Sequence, residues 1–326
     1  MEYTTLGRSG MKVSRLCLGT MNFGPITDEK EAFRVMDTAL EHGINFFDTA
    51  NIYGWGENAG QTETIIGRWF AQGGGRREKV ILGTKVYGSM SDPLDGPNDT
   101  AGLSSYKIRR HLEASLRRLQ TDHIELYQMH HVDLSVSWDE LWGAFEQAIH
   151  QGKIGYVGSS NFAAWHMALA QSEARSHRFI GLVSEQHKYN LNCRLPELEV
   201  LPAAHNLGIG IIPWGPLDGG LLGRNALKKL EGTRSGGDKD RIAKHAAQLE
   251  QFAALCRELG EPQDNVALAW LLANPAVTAP IIGPRTLEQF ESSLRCLDIV
   301  LEEQVMKRLD EIFPGPGAAA PEAYAW

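Results

Sequence analysis

Four side chains able to move a proton stand where apolar runs of the chain break off. Asp48 closes the run Asn45-Phe46-Phe47, Lys85 follows Val80 to Thr84, His130 follows Ile124 to Met129, and Tyr53 lies in a glycine-bearing loop just beyond Asp48. Singly each has an ordinary explanation: a turn cap, a core edge, a surface lysine, a capping histidine. Together they are an acid set. A phenol has a pKa of about 10, too high for easy proton exchange at neutral pH, and a neighbouring ammonium stabilises the phenolate and brings it down. Asp48 would keep Lys85 charged and oriented, and His130 could donate a hydrogen bond to a carbonyl oxygen and fix the face it presents. No serine or cysteine elbow supplies a nucleophile, so the set awaits a hydride carried by a bound cofactor.

The elements that must position these groups follow from hydrophobic periodicity. Short apolar runs at Leu16–Met21, around Phe46, at Val80–Val86, Ile124–Met129, Gly155–Gly158, Gly181–Glu185, Ile209–Pro213 and Val277–Ile282 alternate with amphipathic helices, the pattern of parallel βαβ units. Eight such units predict an α/β fold of the (β/α)8 TIM-barrel type, whose strands deliver their C-terminal ends to one face. That convergence gathers Asp48, Lys85 and His130. A hairpin over Tyr3–Val13, turning at Gly7–Gly10, is expected ahead of the barrel, and an extra C-terminal helix over Leu301–Ile312. Residues 1–313 are read as one domain and 314–326, rich in Pro, Gly and Ala, as a flexible tail. A doubly wound open sheet fits less well, because no Gly-x-Gly-x-x-Gly follows the first strand.

Composition sets the outer bounds. The chain has 326 residues, 43% hydrophobic and 22% charged, with a net charge of -8 spread along it, which argues against nucleic acid or an anionic membrane as principal partner. The four cysteines, Cys17, Cys193, Cys256 and Cys296, are far apart and write neither a zinc knuckle nor a disulfide framework. No stretch is long and apolar enough to span a bilayer and the N-terminus lacks a signal-like pattern, so a cytoplasmic location is expected. No heptad or apolar stripe marks a subunit interface.

In this order the motifs resemble those of the aldo-keto reductases: Gly19-Thr20-Met21, Asn45 through Gly54, Thr84-Lys85, Glu125 through His130, Gly152-Lys153-Ile154 and Gly158-Ser159-Ser160-Asn161. The likeness continues through Ser184-Glu185-Gln186 with Tyr189-Asn190, Trp214-Gly215-Pro216-Leu217, and Gly283-Pro284-Arg285-Thr286 with Gln289. It is similar to the branch that holds sugar-pathway reductases and potassium-channel beta subunits. The resemblance implies reduction of a small aldehyde or ketone by NADPH, with Tyr53 as proton donor, Lys85 and Asp48 tuning it, and His130 positioning the carbonyl. It also implies that Ser160, Asn161 and Gln186 surround the nicotinamide, that Trp214, Pro216, Leu217 and the loop through Leu221 and Gly223 line the pyrophosphate path, and that Thr20, Met21, Asp48, Gly283, Arg285 and Gln289 also bind the cofactor.

The residues themselves add that Gly283–Thr286 opens a helix, whose N-terminal amides favour a phosphate, and that Arg285 supplies the fixed charge a ribose 2′-phosphate would reward. Ser292 and Ser293 depart from the acid or amide and the asparagine expected near an adenine. Phe23, Trp55, Tyr87 and His131, with Tyr324 or Trp326 of the tail, are candidates for the substrate wall. Two other chemistries fit parts of the pattern: a Schiff-base aldolase using Lys85, and an NADPH-binding redox sensor of slow turnover. A metal hydrolase built on His130, His131 and Asp133 lacks a His-x-His on the first strand, and no metal is expected.

Overall fold

Strands β1 (Tyr3–Thr5) and β2 (Lys12–Ser14) pair antiparallel, Thr4 opposite Val13. The turn between them carries Gly7 at φ 55°, where an added Cβ would sit 2.5 Å from the Val183 carbonyl oxygen, so only glycine fits. In the computed structural model, which describes residues 1–224 and 239–325, eight parallel strands follow. They are β3 (Cys17–Gly19), β4 (Phe46–Asp48), β5 (Ile81–Val86), β6 (Ile124–Met129), β7 (Ile154–Ser160), β8 (Leu182–Lys188), β9 (Gly210–Trp214) and β10 (Ile281–Ile282). Their order is β10-β3-β4-β5-β6-β7-β8-β9, and a parallel bridge between Ile211 and Val277 brings the two ends of the sheet together. This is the (β/α)8 barrel.

The surrounding helices are α1 (Glu29–Glu41), α2 (Gln61–Phe70), α3 (Arg76–Lys79), α4 (Ser105–Leu119), α5 (Trp138–His150), α6 (Ala164–Ser176), α7 (Val200–Leu207), α8 (Lys239–Lys244), α9 (Ala246–Leu259), α10 (Gln263–Ala273), α11 (Leu287–Ser293), α12 (Glu303–Ile312) and α13 (Glu322–Ala325). Asp28, Ser104, Ser137 and Thr286 cap α1, α4, α5 and α11, each accepting a first-turn N–H.

Two apolar clusters result. The larger lies between strands and helices and includes Phe47, Trp69, Tyr127 and Trp142. The smaller fills the barrel: Leu6 and Val13 of the hairpin pack with Cys17, Phe46, Leu126, Val183, Ile212 and Ile281. The hairpin is therefore the plug at the barrel's closed end.

The expected eighth strand, Val277–Ile282, is shortened to Ile281–Ile282 because Pro280 has no N–H to donate; its carbonyl still accepts from Cys17 N at 3.1 Å. The helical segment before α10 is broken at His245 into α8 and α9. Beyond Phe313, Ala320 N donates to Leu198 O at 2.9 Å and α13 follows. Residues 225–238 and Trp326 fall outside the described residues. Among the described residues no helix is long and apolar enough to cross a membrane.

Candidate active site

Inside a barrel, every second residue of a strand points to the axis. Phe46 belongs to the inner cluster, so Asp48 rises above it on the same face. On β6 the inward column is Leu126, Gln128, His130, apolar at the plug and polar at the open end. Strand β8 departs from strict alternation. Its pairing with β7 jumps from Val157–Leu182 to Gly158–Ser184, so a bulge at Val183 lets both Val183 and, three residues on, Gln186 face inward.

The hub is Lys85, fully buried at the end of β5. Its Nζ donates to Asp48 Oδ2 at 2.6 Å, to the Thr49 carbonyl at 2.8 Å, and lies 3.1 Å from the Tyr53 hydroxyl. All three ammonium protons have acceptors. Burial by itself would lower this ammonium, but the charges of and hydrogen bonds from Asp48 and Tyr53 outweigh it, and Lys85 is held above its ordinary pKa. The other oxygen of Asp48, Oδ1, accepts from Gln186 Nε2 at 2.8 Å and Gln128 Nε2 at 3.1 Å.

Tyr53 is 8% exposed, with the His130 ring edge-on at 6.0 Å and Trp55 at 6.2 Å. Burial, with Lys85 and His131 beside it, pushes His130 down to about 2, so its imidazole is neutral at physiological pH. The backbone of His130 is fixed on both sides: its N–H donates to Val86 O at 3.0 Å, and its carbonyl accepts from Asn161 Nδ2 at 3.2 Å. Asn161 holds a left-handed φ of 61° and also accepts from Trp214 Nε1 at 3.0 Å. The loop after β7 is thereby tied to β6 and β9.

Above this cluster opens a cleft of about 1070 Å³. Thr20, Met21, Asp48, Ser160, Asn161, Gln186, Trp214, Pro216, Leu217, Gly223, Gly283, Arg285 and Gln289 all line it, as do Tyr53, Trp55, His130 and His131. Four expected residues do not, among them Tyr324, which is exposed on the tail. Leu221 and Phe23 are fully buried in the core, Phe23 engaged through its carbonyl with Thr62 Oγ1 at 2.9 Å. Tyr87 stands behind His131, ring edge on ring at 5.1 Å, and is no part of the lining. At the start of α11 two amides are engaged within the protein: Arg285 N, just before the N-cap, donates to Gln289 Oε1 at 2.9 Å, and Leu287 N to Glu31 Oε1 at 2.7 Å. The guanidiniums of Arg285 and Arg224 both line that end of the cleft.

Several lining groups escaped the sequence reading. Arg224 forks onto Asp264 (3.1 and 2.9 Å) and donates to Ser292 Oγ at 2.6 Å. Lys188 and Arg241 share the buried carboxylate of Asp218, at 3.3 and 2.5 Å. The side chains that meet there are far apart in sequence, so no local spacing announces them. Gln128 could have been found, since it lies two residues before His130 on a strand and must share its face. The cleft thus sets the Tyr53 phenol at its floor beneath a long groove lined by Lys188, Arg224, Arg241 and Arg285 together with Asp218, Asp264 and Glu288.

A profile of the Aldo/keto reductase family matches residues 15–313. The uncharacterized oxidoreductase YrpG of Bacillus subtilis is 65% identical over all of both chains. The norsolorinic acid reductase stcV of Emericella nidulans is 33% identical, covering 94% of this chain and 80% of its own. A probable voltage-gated potassium channel subunit beta of Arabidopsis thaliana is 31% identical over 99% of this chain and 100% of its own.

Proposed function

The chain belongs to the aldo/keto reductase family, and from that premise we propose that it reduces an aldehyde or ketone to the alcohol with NADPH, Tyr53 delivering the proton. One observation carries this reading: the Lys85 ammonium bonds Asp48 and the Tyr53 hydroxyl at once, 2.6 and 3.1 Å away, beneath the cleft. As charge develops on the carbonyl oxygen, Tyr53 gives up its proton, and Lys85 stabilises the phenolate left behind. Asp48 keeps Lys85 charged. His130, neutral at working pH, donates a ring N–H to the same oxygen and orients it.

NADPH, when bound, supplies the hydride to the carbonyl carbon. Ser160, Asn161 and Gln186 are the residues to hold the nicotinamide end, and Arg224 and Arg285 the anionic remainder, with Arg285 selecting for the 2′-phosphate. The Schiff-base alternative is disfavoured by Lys85 itself, since an amine must be neutral and accessible to attack a carbonyl and this one is buried, charged and saturated with acceptors. The test is NADPH consumption over a panel of aldehydes and ketones, run beside borohydride trapping. Carbonyl-dependent oxidation without a trapped adduct supports the reading; a Lys85 adduct, or no oxidation with any carbonyl, overturns it.

A further inference from the structure

Two amides compete for one oxygen of Asp48. Gln186 and Gln128 both donate to Oδ1, yet only Gln186 lines the cleft and can be drawn toward a bound ligand. Gln128 is fully buried. It lies over Gly83 and Gly158 of the neighbouring strands, which leave room for its side chain: a Cβ on Gly83 would lie 3.3 Å from its Nε2, and one on Gly158 3.1 Å from its Cγ. Its donor lies below the cleft floor, out of reach of a ligand bound there. Resting on the function proposed above, we propose that Gln128 is a positioning residue that holds the Asp48 carboxylate, and through it Lys85, on the Tyr53 hydroxyl when Gln186 turns to the cofactor.

The chain of contacts gives the direction of its effect. Gln128 N–H bonds Asp48 Oδ1, Asp48 Oδ2 bonds Lys85, and Lys85 meets Tyr53. The charged and titratable groups about that hydroxyl are Asp48 from β4, Lys85 from β5 and His130 from β6, with the buried Cys17 thiol of β3 close enough to sense both Asp48 and Lys85. Removing the amide dipole leaves more of the Asp48 charge facing Tyr53 and lets the carboxylate draw Lys85 off the phenol. Both changes disfavour the phenolate.

The experiment uses protein labelled with [13Cζ]tyrosine and needs no substrate. The Tyr53 resonance, identified by its absence in Tyr53→Phe, is titrated in the wild type, in Gln128→Met, which keeps the length and removes the donor, and in Gln128→Asn, which keeps the amide but draws it back from Asp48. The midpoint is expected to move to higher pH in both variants. In NADPH-dependent turnover kcat should fall about tenfold, the weight of one hydrogen bond to a charged group, with the KM for NADPH within about twofold. An unmoved midpoint, or a loss confined to KM, overturns the inference. A second measurement needs no variant: on adding NADPH to the wild type, the side-chain amide of Gln186 should shift while that of Gln128 stays slow to exchange, and the reverse would also overturn it. If the wild type oxidises no NADPH with any carbonyl, the functional reading fails while the titration still decides the role of Gln128.

Discussion

Replacing Lys85 by Met tests the proton-donor arrangement at its hub. The ammonium is 3.1 Å from the phenol oxygen, and at an effective dielectric constant of about 20 a unit charge at that distance stabilises a phenolate by about 5 kcal/mol. A proton donor in a transition state feels part of that, so kcat should fall by about 10²- to 10⁴-fold, the range of a general acid. The variant also strips Asp48 of its cation. Breaking a buried pair from one side costs about 3–5 kcal/mol, and the two glutamine donors remaining on Oδ1 place the loss at the lower end. Urea unfolding and NADPH fluorescence therefore come first, to show that the variant folds and binds. Single-turnover oxidation of NADPH with an accepted aldehyde then isolates the chemical step. A folded, NADPH-binding Lys85→Met that turns over within about twofold of the wild type would refute the reasoning.

Three other outcomes follow from the geometry. Arg285→Glu should weaken NADPH about tenfold or more beyond any loss for NADH, and equal losses in fluorescence titrations would remove the 2′-phosphate assignment. Because His130 is pushed down to about 2 from 6.5 in the unfolded chain, its contribution to stability is present above pH 6.5 and is lost as pH falls toward the folded value. His130→Gln should therefore flatten the decline of unfolding free energy over that window by at most about 1.4 kcal/mol per pH unit, and an unchanged slope would contradict the neutral, buried imidazole. Gly7→Ala should destabilise by about 2 kcal/mol or more, since its left-handed φ and the Val183 carbonyl 2.5 Å away both resist a Cβ; a denaturation midpoint equal to the wild type's would contradict the tight plug.

What the sequence made legible was what strand periodicity and local motifs encode. Asp48, Lys85 and His130 end apolar runs, and once eight runs close into a barrel their convergence is forced; that is why the acid set could be assembled before any coordinates. What it hid is non-local. The bulge at Val183 reverses the face of Gln186 through pairing with β7, and nothing near Gln186 in sequence signals it. The ion pairs Arg224–Asp264 and Arg241–Asp218 join segments many residues apart. Phe23 was expected as substrate wall on its aromatic character alone, and the more common fate of a phenylalanine, burial, is the one it meets. At the start of α11 the sequence suggested open amides, but Glu31 from α1 and Gln289 engage two of those there.

The central claim, that Tyr53 gives the proton in carbonyl reduction, is tested most directly by Tyr53→Phe. This change removes one oxygen and leaves the ring beside His130 and Trp55. In single-turnover oxidation of saturating NADPH by an aldehyde that the wild type reduces, the variant should bind cofactor normally and lose about 10²- to 10⁴-fold in rate. Retention of the wild-type rate would contradict the account.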